Sequence, residues 1–180
     1  MNDAMEIGCT PASLTIQRQP GELMSALEYP SRITPFLWFE SNAEEAVDFY
    51  CAIFPNSRKI SEFRSPADTP SGPKGSVLTV SFELDGLHFT ALNGGQAHPF
   101  TDAISFVVRC ETQAEIDSYW SKLTAGGSEV ACGWLKDKFG LSWQIVPARL
   151  GEHLRNSNAM QAMMKMKKLD IAELERAAQS

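Results

Sequence analysis

Apolar and polar positions along this chain follow two periods, and each change of period marks a new element. Residues 33–39 form a β-type run. The apolar residues that follow recur at helical spacing: Ala46, Val47, Phe49, Tyr50 and Ile53. Ser41 and Asn42 offer an N-cap for this helix, and Glu44 and Glu45 complement its dipole. The pattern therefore predicts a strand followed by an amphipathic helix.

Two alternating runs come next, after a loop rich in proline and glycine at residues 65–75. Residues 77–83 and 87–92 alternate on either side of Asp85-Gly86, a pair typical of a two-residue hairpin turn. Asn93-Gly94-Gly95 then interrupts the pattern. The first half of the chain is predicted to run strand, helix, strands.

The same order restarts near residue 103. Residues 103–110 predict a strand, and Thr112 with Glu115 forms a capping box at the start of a second helix. Residues 129–134 and 141–146 predict a strand pair joined by a tight turn. Residues 160–178 predict two short helices, the second beginning near Asp170, that pack on the core or on a sister chain.

An internal repeat accounts for this restart. The stretch FLWFESNAEEAVDFY (36–50) aligns without a gap on FVVRCETQAEIDSYW (106–120), an offset of 70 residues. The later hairpin LDGLHFTAL aligns on KFGLSWQIV, which places Gly86 on Gly140 and Thr90 on Gln144. Each half is therefore one supersecondary unit.

Composition and charge narrow the class of protein. The 43% hydrophobic and 21% charged content is ordinary for a globular chain, and the net charge is -6. No basic stripe is interleaved with aromatic residues, so we expect no nucleic-acid partner. No apolar run approaches the ~20 residues of a membrane span, and the N-terminus lacks the features of a secretion signal. We expect a cytoplasmic protein with no membrane partner.

The four cysteines, at positions 9, 51, 110 and 132, lie far apart and form no CxxC pair. This spacing argues against a zinc site and for reduced thiols. Each is expected to act as a small core hydrophobe.

A series of phrases in order carries a family resemblance: ITPFLWF, AEEAVDFY, IFPNS, PKGSV, FTALNGG, CGWLKDKFGLSWQIVP and MKMKKLDIAELERA. They resemble the PhnB-like subgroup of the vicinal oxygen chelate superfamily, which includes glyoxalase I, bleomycin-resistance proteins and extradiol dioxygenases. Members of the subgroup often carry the label 3-demethylubiquinone-9 3-methyltransferase. The resemblance implies an α+β fold in which two βαβββ modules form an incomplete barrel around a cavity. It also implies a homodimer, sometimes with modules exchanged.

The resemblance covers residues 32–180 and suggests a division of the chain. Residues 1–31 would be a flexible N-terminal extension, and 32–98 the first module. Residues 99–150 would be the second module, and 151–180 a C-terminal helical tail.

The resemblance also indicates which positions of this chain correspond to the metal ligands of metal-using relatives. They fall on Thr90 and Gln144 and, by a choice of alignment, on Ile33 or Pro35 and on Ala103 or Ser105. None is a histidine or a carboxylate, whereas a divalent ion normally needs about three such ligands. We therefore predict no metal.

Methyl transfer and nucleophilic catalysis would each require a recognisable motif in the sequence. The methyltransferase label would require S-adenosylmethionine, but Asn93-Gly94-Gly95 leads to a strand, not directly to a helix. We interpret it as a loop between modules and predict no cofactor. Neither Cys110 nor Cys132 has a histidine predictably beside it, and no nucleophile and base stand at recognisable spacing.

A concave site with neutral polar groups is the remaining interpretation. Phe39, Leu92, Val107 and Val146 would supply the apolar walls of this site. Trp38 and Trp120 would instead pack on the helix-facing side of the sheets. The predicted ligand-binding residues are Phe39, His88, Thr90, Asn93, Ser105, Trp134 and Gln144.

Three functions follow, from different classes. The first is a metal-independent small-molecule-binding protein. The second is an enzyme of the same superfamily that acts on a small apolar or aromatic metabolite through neutral hydrogen-bonding groups or His88. The third is the quinone methyltransferase of the family label. Whether any reaction is catalysed stays open at this stage.

Overall fold

The structure is a computed structural model that describes residue 29 and residues 31–179. The predicted N-terminal extension and Cys9 therefore lie almost wholly outside the described residues. The first module contains β1 (Phe36–Phe39), α1 (Ala43–Ile53), β2 (Arg58–Arg64), β3 (Val77–Leu84) and β4 (Leu87–Asn93). The second contains β5 (Phe106–Cys110), α2 (Gln113–Leu123), β6 (Ser128–Glu129), β7 (Trp134–Lys136) and β8 (Ser142–Pro147). Three helices complete the chain: α3 (Leu150–His153), α4 (Ser157–Met163) and α5 (Ile171–Ala178).

Each module folds into one four-stranded sheet. The strand orders are β1-β4-β3-β2 and β5-β8-β7-β6, with a parallel first pair and antiparallel pairs beyond it. Helices α1 and α2 keep the offset of 70 residues that the sequence repeat predicts. The predicted α+β fold of two βαβββ modules is confirmed, although the two sheets do not close into a barrel within the described chain.

The N-termini of the two helices are capped differently. In α2, Thr112 accepts a hydrogen bond from the backbone N–H of Glu115, whose carboxylate accepts one from the N–H of Glu111. This confirms the predicted capping box. In α1, Asn42 occupies the cap position without a side-chain bond, and the cap comes from Asn93 at the end of β4, which accepts from the N–H of Ala43 at 2.9 Å. The strand thus caps the helix that precedes it in sequence.

The hairpins show where the repeat diverges. Asp85 and Gly86 both take positive φ, 44° and 85°, which suits the predicted two-residue turn between Leu84 and Leu87. The second hairpin instead has a five-residue loop, 137–141, between Lys136 and Ser142.

Two strand predictions need correction. The predicted strand at 129–134 is wrong as one element: it contains a turn between β6 and β7, where Cys132 and Gly133 take positive φ. Strand β2 was missed because its sequence, RKISEFR, is dominated by charges. Charged residues are typical of an exposed sheet edge, and β2 lies at the edge of its sheet.

A continuous series of aromatic contacts joins the two modules. Phe82 stacks on Phe89 with ring centroids 5.2 Å apart, and Phe89 meets Phe106 of the second module at 5.1 Å. Phe106 in turn contacts Trp143 at 5.6 Å. Both sheets therefore turn their helix-facing sides into one shared core.

A buried carboxylate also joins the modules. Asp137, in the loop between β7 and β8, is 2% exposed. Its Oδ2 accepts from the Tyr50 hydroxyl of α1 at 2.8 Å and from the Trp143 indole N–H at 2.9 Å. Its Oδ1 accepts from the backbone N–H groups of Phe139 and Leu141. Burial raises the pKa of Asp137 above its ordinary value although these four donors act to lower it.

The C-terminal helices dock on the second module. Asp170 caps α5 by accepting from the N–H of Glu173, as the sequence predicts. The backbone N–H groups of Cys132 and Gly133 donate to the carbonyl oxygens of Met166 and Lys167. The tail therefore packs on the turn between β6 and β7.

The described cysteines are all free. Cys110 is buried in the core, where burial is the main cause that raises its pKa to about 12. Cys51 and Cys132 are only half-buried, so the prediction of a core position is confirmed for Cys110 alone.

Within residue 29 and residues 31–179, none of the helices has the length and apolar character that crossing a bilayer requires.

Candidate functional site

The face of each sheet that points away from the helices is called here its open face. Side chains alternate between the two faces of a strand, so the register decides which residues belong to each open face. On the first sheet one row runs in register across four strands, Phe36–Thr90–Ser81–Ser61. The next row is Trp38–Leu92–Thr79–Phe63.

Three hydroxyl groups line the first of these rows. Thr90 is 2% exposed at the centre of the sheet, and Ser81 and Ser61 lie beside it on β3 and β2. None of the three donates or accepts a side-chain hydrogen bond within the described part of the chain. Thr79, in the neighbouring row, has a fully buried hydroxyl oxygen that also lacks a partner among the described residues. This open face therefore has unused hydrogen-bonding capacity beside the aromatic ring of Phe36.

His88 extends the same face beyond Thr90. It pairs in register with Glu83, and its Nε2 lies 3.7 Å from Glu83 Oε2. The Glu83 carboxylate also accepts a hydrogen bond from Arg58 Nη2 at 3.3 Å. His88 thus lies beside a carboxylate on this face.

On the second sheet the open face contains Gln144. Its side-chain amide donates to Ser105 Oγ at 2.9 Å, and its register partners are Val107 and Trp134. The carbonyl oxygen of the Gln144 side chain accepts no hydrogen bond from the described residues.

Ser142 lies beside Gln144 on this face. Its hydroxyl donates to Asp102 at 2.9 Å, and Asp102 also pairs with Lys136 at 3.0 Å. These bonds, first that of Lys136 and then that of Ser142, lower the pKa of Asp102 below its ordinary value.

Five of the seven predicted ligand-binding residues thus lie on open faces: His88, Thr90, Ser105, Trp134 and Gln144. Phe39 and Asn93 pair with each other on the opposite, helix-facing side. Phe39 is 4% exposed in the core. The Asn93 side chain is occupied by bonds to Ala43, Glu44 and Val77.

The parity of β1 explains this difference. Leu37 and Phe39 take the helix-facing side, so Trp38 lies on the open face, in register with Leu92. The prediction that Trp38 packs against the helix side is wrong, whereas Trp120 is buried on α2 as expected. Ser81 and Ser61 were missed; in β3, the alternation of Thr79, Ser81 and Glu83 with apolar residues was the available signal.

The polar side chains of the open faces differ from the usual ligands of a metal ion. The open-face positions carried over from metal-using relatives provide hydroxyl and amide oxygens without a carboxylate or an imidazole. Within residue 29 and residues 31–179, no three His, Cys, Asp or Glu side chains cluster closely enough to hold an ion. These residues do not fit a divalent metal site of the usual composition.

The glycines after β4 have a packing role. A Cβ on Gly94 would lie 2.0 Å from Trp38 Cε2, and one on Gly95 would lie 2.6 Å from the carbonyl oxygen of Pro70. Their N–H groups donate to the carbonyl oxygens of Phe39 and Glu40. The next element is β5, not a helix. This loop therefore lacks the strand-to-helix geometry of a nucleotide-type cofactor turn.

The fold and its paired βαβββ modules define the class. The structure resembles the PhnB protein of Bacillus cereus at a TM-score of 0.59 and 38% identity, over 66% of this chain and 100% of that one. It also resembles the fosfomycin resistance protein FosX of Mesorhizobium loti at 0.50 and 11% identity, over 71% and 99%; at that identity the match shows the fold alone. The protein has the glyoxalase/bleomycin-resistance fold.

The family is shown by sequence. The sequence model described as 3-demethylubiquinone-9 3-methyltransferase matches residues 31–146, and the chain belongs to that family. The Bacillus cereus protein carries the same description. A Pseudomonas aeruginosa protein of known structure is 18% identical, with a TM-score of 0.54 over 64% of this chain and 96% of that one. Comparison with proteins of curated function gave no match. The resemblance to the PhnB-like subgroup is confirmed.

Proposed function

We propose that the protein binds a small molecule on its open faces without a metal ion. The main observation is the polar content of these faces, which is neutral at their centres: the hydroxyl row of Thr90, Ser81 and Ser61, and the amide of Gln144 held by Ser105. Apolar side chains, among them Phe36 and Val107, lie beside them. Such a mixture is typical of sites for uncharged or weakly polar ligands.

The two open faces are proposed to form one site through a homodimer. In a single chain the sheets share a core on their helix-facing sides, which leaves the opposite faces outside it. Phe36 is 47% exposed and Val107 is 59% exposed, each on its open face. A second copy that covers these side chains would bury apolar surface and enclose the polar rows. We place this homodimer in the cytoplasm, as the sequence predicts.

A ligand screen by thermal shift tests the binding proposal. A panel of small apolar and aromatic metabolites is screened, and hits are measured by calorimetry on wild type, Thr90→Val and Gln144→Ala. Loss of one good hydrogen bond is expected to weaken binding by about tenfold. Ser121→Ala, on the exposed side of α2, is the control. Hits that bind all four proteins equally would place the site elsewhere.

A second candidate function is an enzyme of the same superfamily. The observation that favours it is the His88–Glu83 pair at 3.7 Å, on the same face as Thr90, because a histidine beside a carboxylate can transfer a proton. Turnover of a ligand found in the screen, lost in His88→Gln with binding retained, would support this function. Binding without turnover in wild type would favour the first proposal.

The methyltransferase activity in the family description is the third candidate. It predicts binding of S-adenosylmethionine, which calorimetry measures directly. We expect no binding, because the glycine loop after β4 is occupied by packing and does not begin a helix.

A further inference from the structure

A groove of about 510 Å³, separate from the open faces, lies where the two modules and their linker meet. The end of β1, linker residues 97–100 and the loop between β7 and β8 line it. Its volume is within the range of ~300–1,000 Å³ typical of small-molecule sites. Neither the hydroxyl row nor Gln144 lines this groove, so it is a separate candidate site.

Aromatic rings form its walls. Phe39 makes edge-to-face contacts with Phe100 at 5.5 Å and with Phe139 at 5.7 Å between centroids. Trp38 lines the same groove, and its indole N–H already donates to the carbonyl oxygen of Gln96 at 2.8 Å. These side chains offer ring surface and no free hydrogen-bond donor.

The charged side chains of the groove differ in how far they are already paired. Lys138 forms an ion pair with Glu45, and its Nζ lies 5.0 Å from the ring centroid of Phe49 and 4.9 Å from that of Phe139. Glu40 also lines the groove, and its carboxylate has no ion pair or hydrogen bond within residues 31–179. The uncompensated charge in the groove is therefore negative.

Asn42 adds a neutral polar group close to that carboxylate in sequence. Its side chain lines the groove and makes no capping bond, because Asn93 caps α1 instead. Among the described residues its side-chain amide has no hydrogen-bond partner, so it can donate or accept.

We propose that this groove binds a small organic cation in which an aromatic or alkyl group carries an ammonium group. The apolar part packs against the partly buried rings of Phe100 and Phe139, and the ammonium group binds the Glu40 carboxylate and the Asn42 amide oxygen. The net charge of -6 acts in the same direction at longer range.

The test titrates 2-phenylethylammonium into the full chain by calorimetry. The uncharged 2-phenylethanol and the anionic phenylacetate serve as matched probes. We expect saturable binding of the ammonium compound, with a dissociation constant at least about tenfold lower than that of either matched probe. Equal binding of the alcohol, preferential binding of phenylacetate, or no binding of the ammonium compound would overturn the proposal.

Variants locate the site. Glu40→Gln is expected to weaken binding of 2-phenylethylammonium by about tenfold, and Asn42→Ala by less. Glu111→Gln, an exposed carboxylate of the second module, is the control and should leave binding unchanged, as should Gln144→Ala on the open face. An unchanged affinity in a folded Glu40→Gln variant, or a loss in Gln144→Ala, would contradict the assignment.

Discussion

At the scale of single residues, the least foreseeable feature is Asp137. The sequence KDKFG predicts a turn, and a turn forms, but nothing in the local pattern shows that its aspartate is buried beneath the neighbouring module. The burial depends on Tyr50, which lies 87 positions away in sequence. No cation pairs with Asp137 among the described residues, so four neutral donors hold the carboxylate.

Tyr50→Phe tests this arrangement. The change removes one hydrogen bond to a buried carboxylate, and we expect it to lower the free energy of unfolding by about 1.5–3 kcal/mol in urea denaturation. Tyr119→Phe is the matched control, because the Tyr119 hydroxyl makes no hydrogen bond to the described residues; it should change stability by less than about 0.5 kcal/mol. Equal effects of the two variants would show that the Tyr50–Asp137 bond contributes little.

The pKa values of Asp137 and Asp102 are shifted in opposite directions, so these two groups should make stability depend on pH with opposite signs. Because burial raises the pKa of Asp137 in the folded state, its contribution to stability is fully present below the unfolded value of about 3.8 and is lost as pH rises through the folded pKa. The pKa of Asp102 is lowered, so its contribution is present above about 3.8 and is lost as pH falls through the folded value.

Asp137→Asn and Asp102→Asn should therefore give opposite slopes. The stability of wild type relative to Asp137→Asn should fall with rising pH, and that relative to Asp102→Asn should rise. Denaturation at several pH values measures both. A difference between wild type and Asp137→Asn that rises with pH would show that the four donors outweigh burial.

At the scale of elements, patterns within one segment were predictable and those between segments were not. The capping box of α2 lies within five consecutive residues, Glu111–Glu115, and was predicted. The sequence offered Ser41 and Asn42 as the cap of α1, and Asn42 does take the cap position, but the side-chain bond comes from Asn93, 50 positions beyond Ala43. Strand β2 was missed because its charges suit an edge, and the sides of Trp38 and Phe39 were exchanged because a short apolar strand has no visible parity.

Asn93→Ala tests the remote cap. It removes the acceptor for the Ala43 N–H together with the bonds to Glu44 and Val77, and we expect a loss of about 2 kcal/mol of unfolding free energy. Asn42→Ala, at the cap position itself, should cost less than about 0.5 kcal/mol. Chemical denaturation followed by circular dichroism measures both, and the reverse order would assign the cap to Asn42.

At the scale of the whole molecule, the repeat predicted two halves that each run strand, helix, strands, and the family resemblance implied the fold of two βαβββ modules. It did not predict that the modules share a core on their helix-facing sides within one chain. That arrangement rests on contacts such as Phe89 with Phe106, which a repeat cannot indicate because they join its two copies. It is also the reason why the candidate site is divided between two open faces.

The proposed homodimer can be tested by sedimentation. Wild type should sediment at twice the mass of the chain, and Val107→Asp should shift it toward the monomer by placing a charge on an apolar contact surface. Val130→Asp, at an exposed position outside the open faces, should leave the dimer unchanged. A monomeric wild type at micromolar concentration would contradict the shared site.

The absence of a metal requirement is the central claim, and calorimetric titration of divalent ions measures it most directly. Protein purified without chelators is titrated with Zn²⁺, Mn²⁺ and Ni²⁺, and its metal content is determined first by elemental analysis. The donor set of Thr90, Ser105 and Gln144 predicts less than stoichiometric metal and no tight binding. One tightly bound ion per site, lost in Gln144→Ala, would contradict the account.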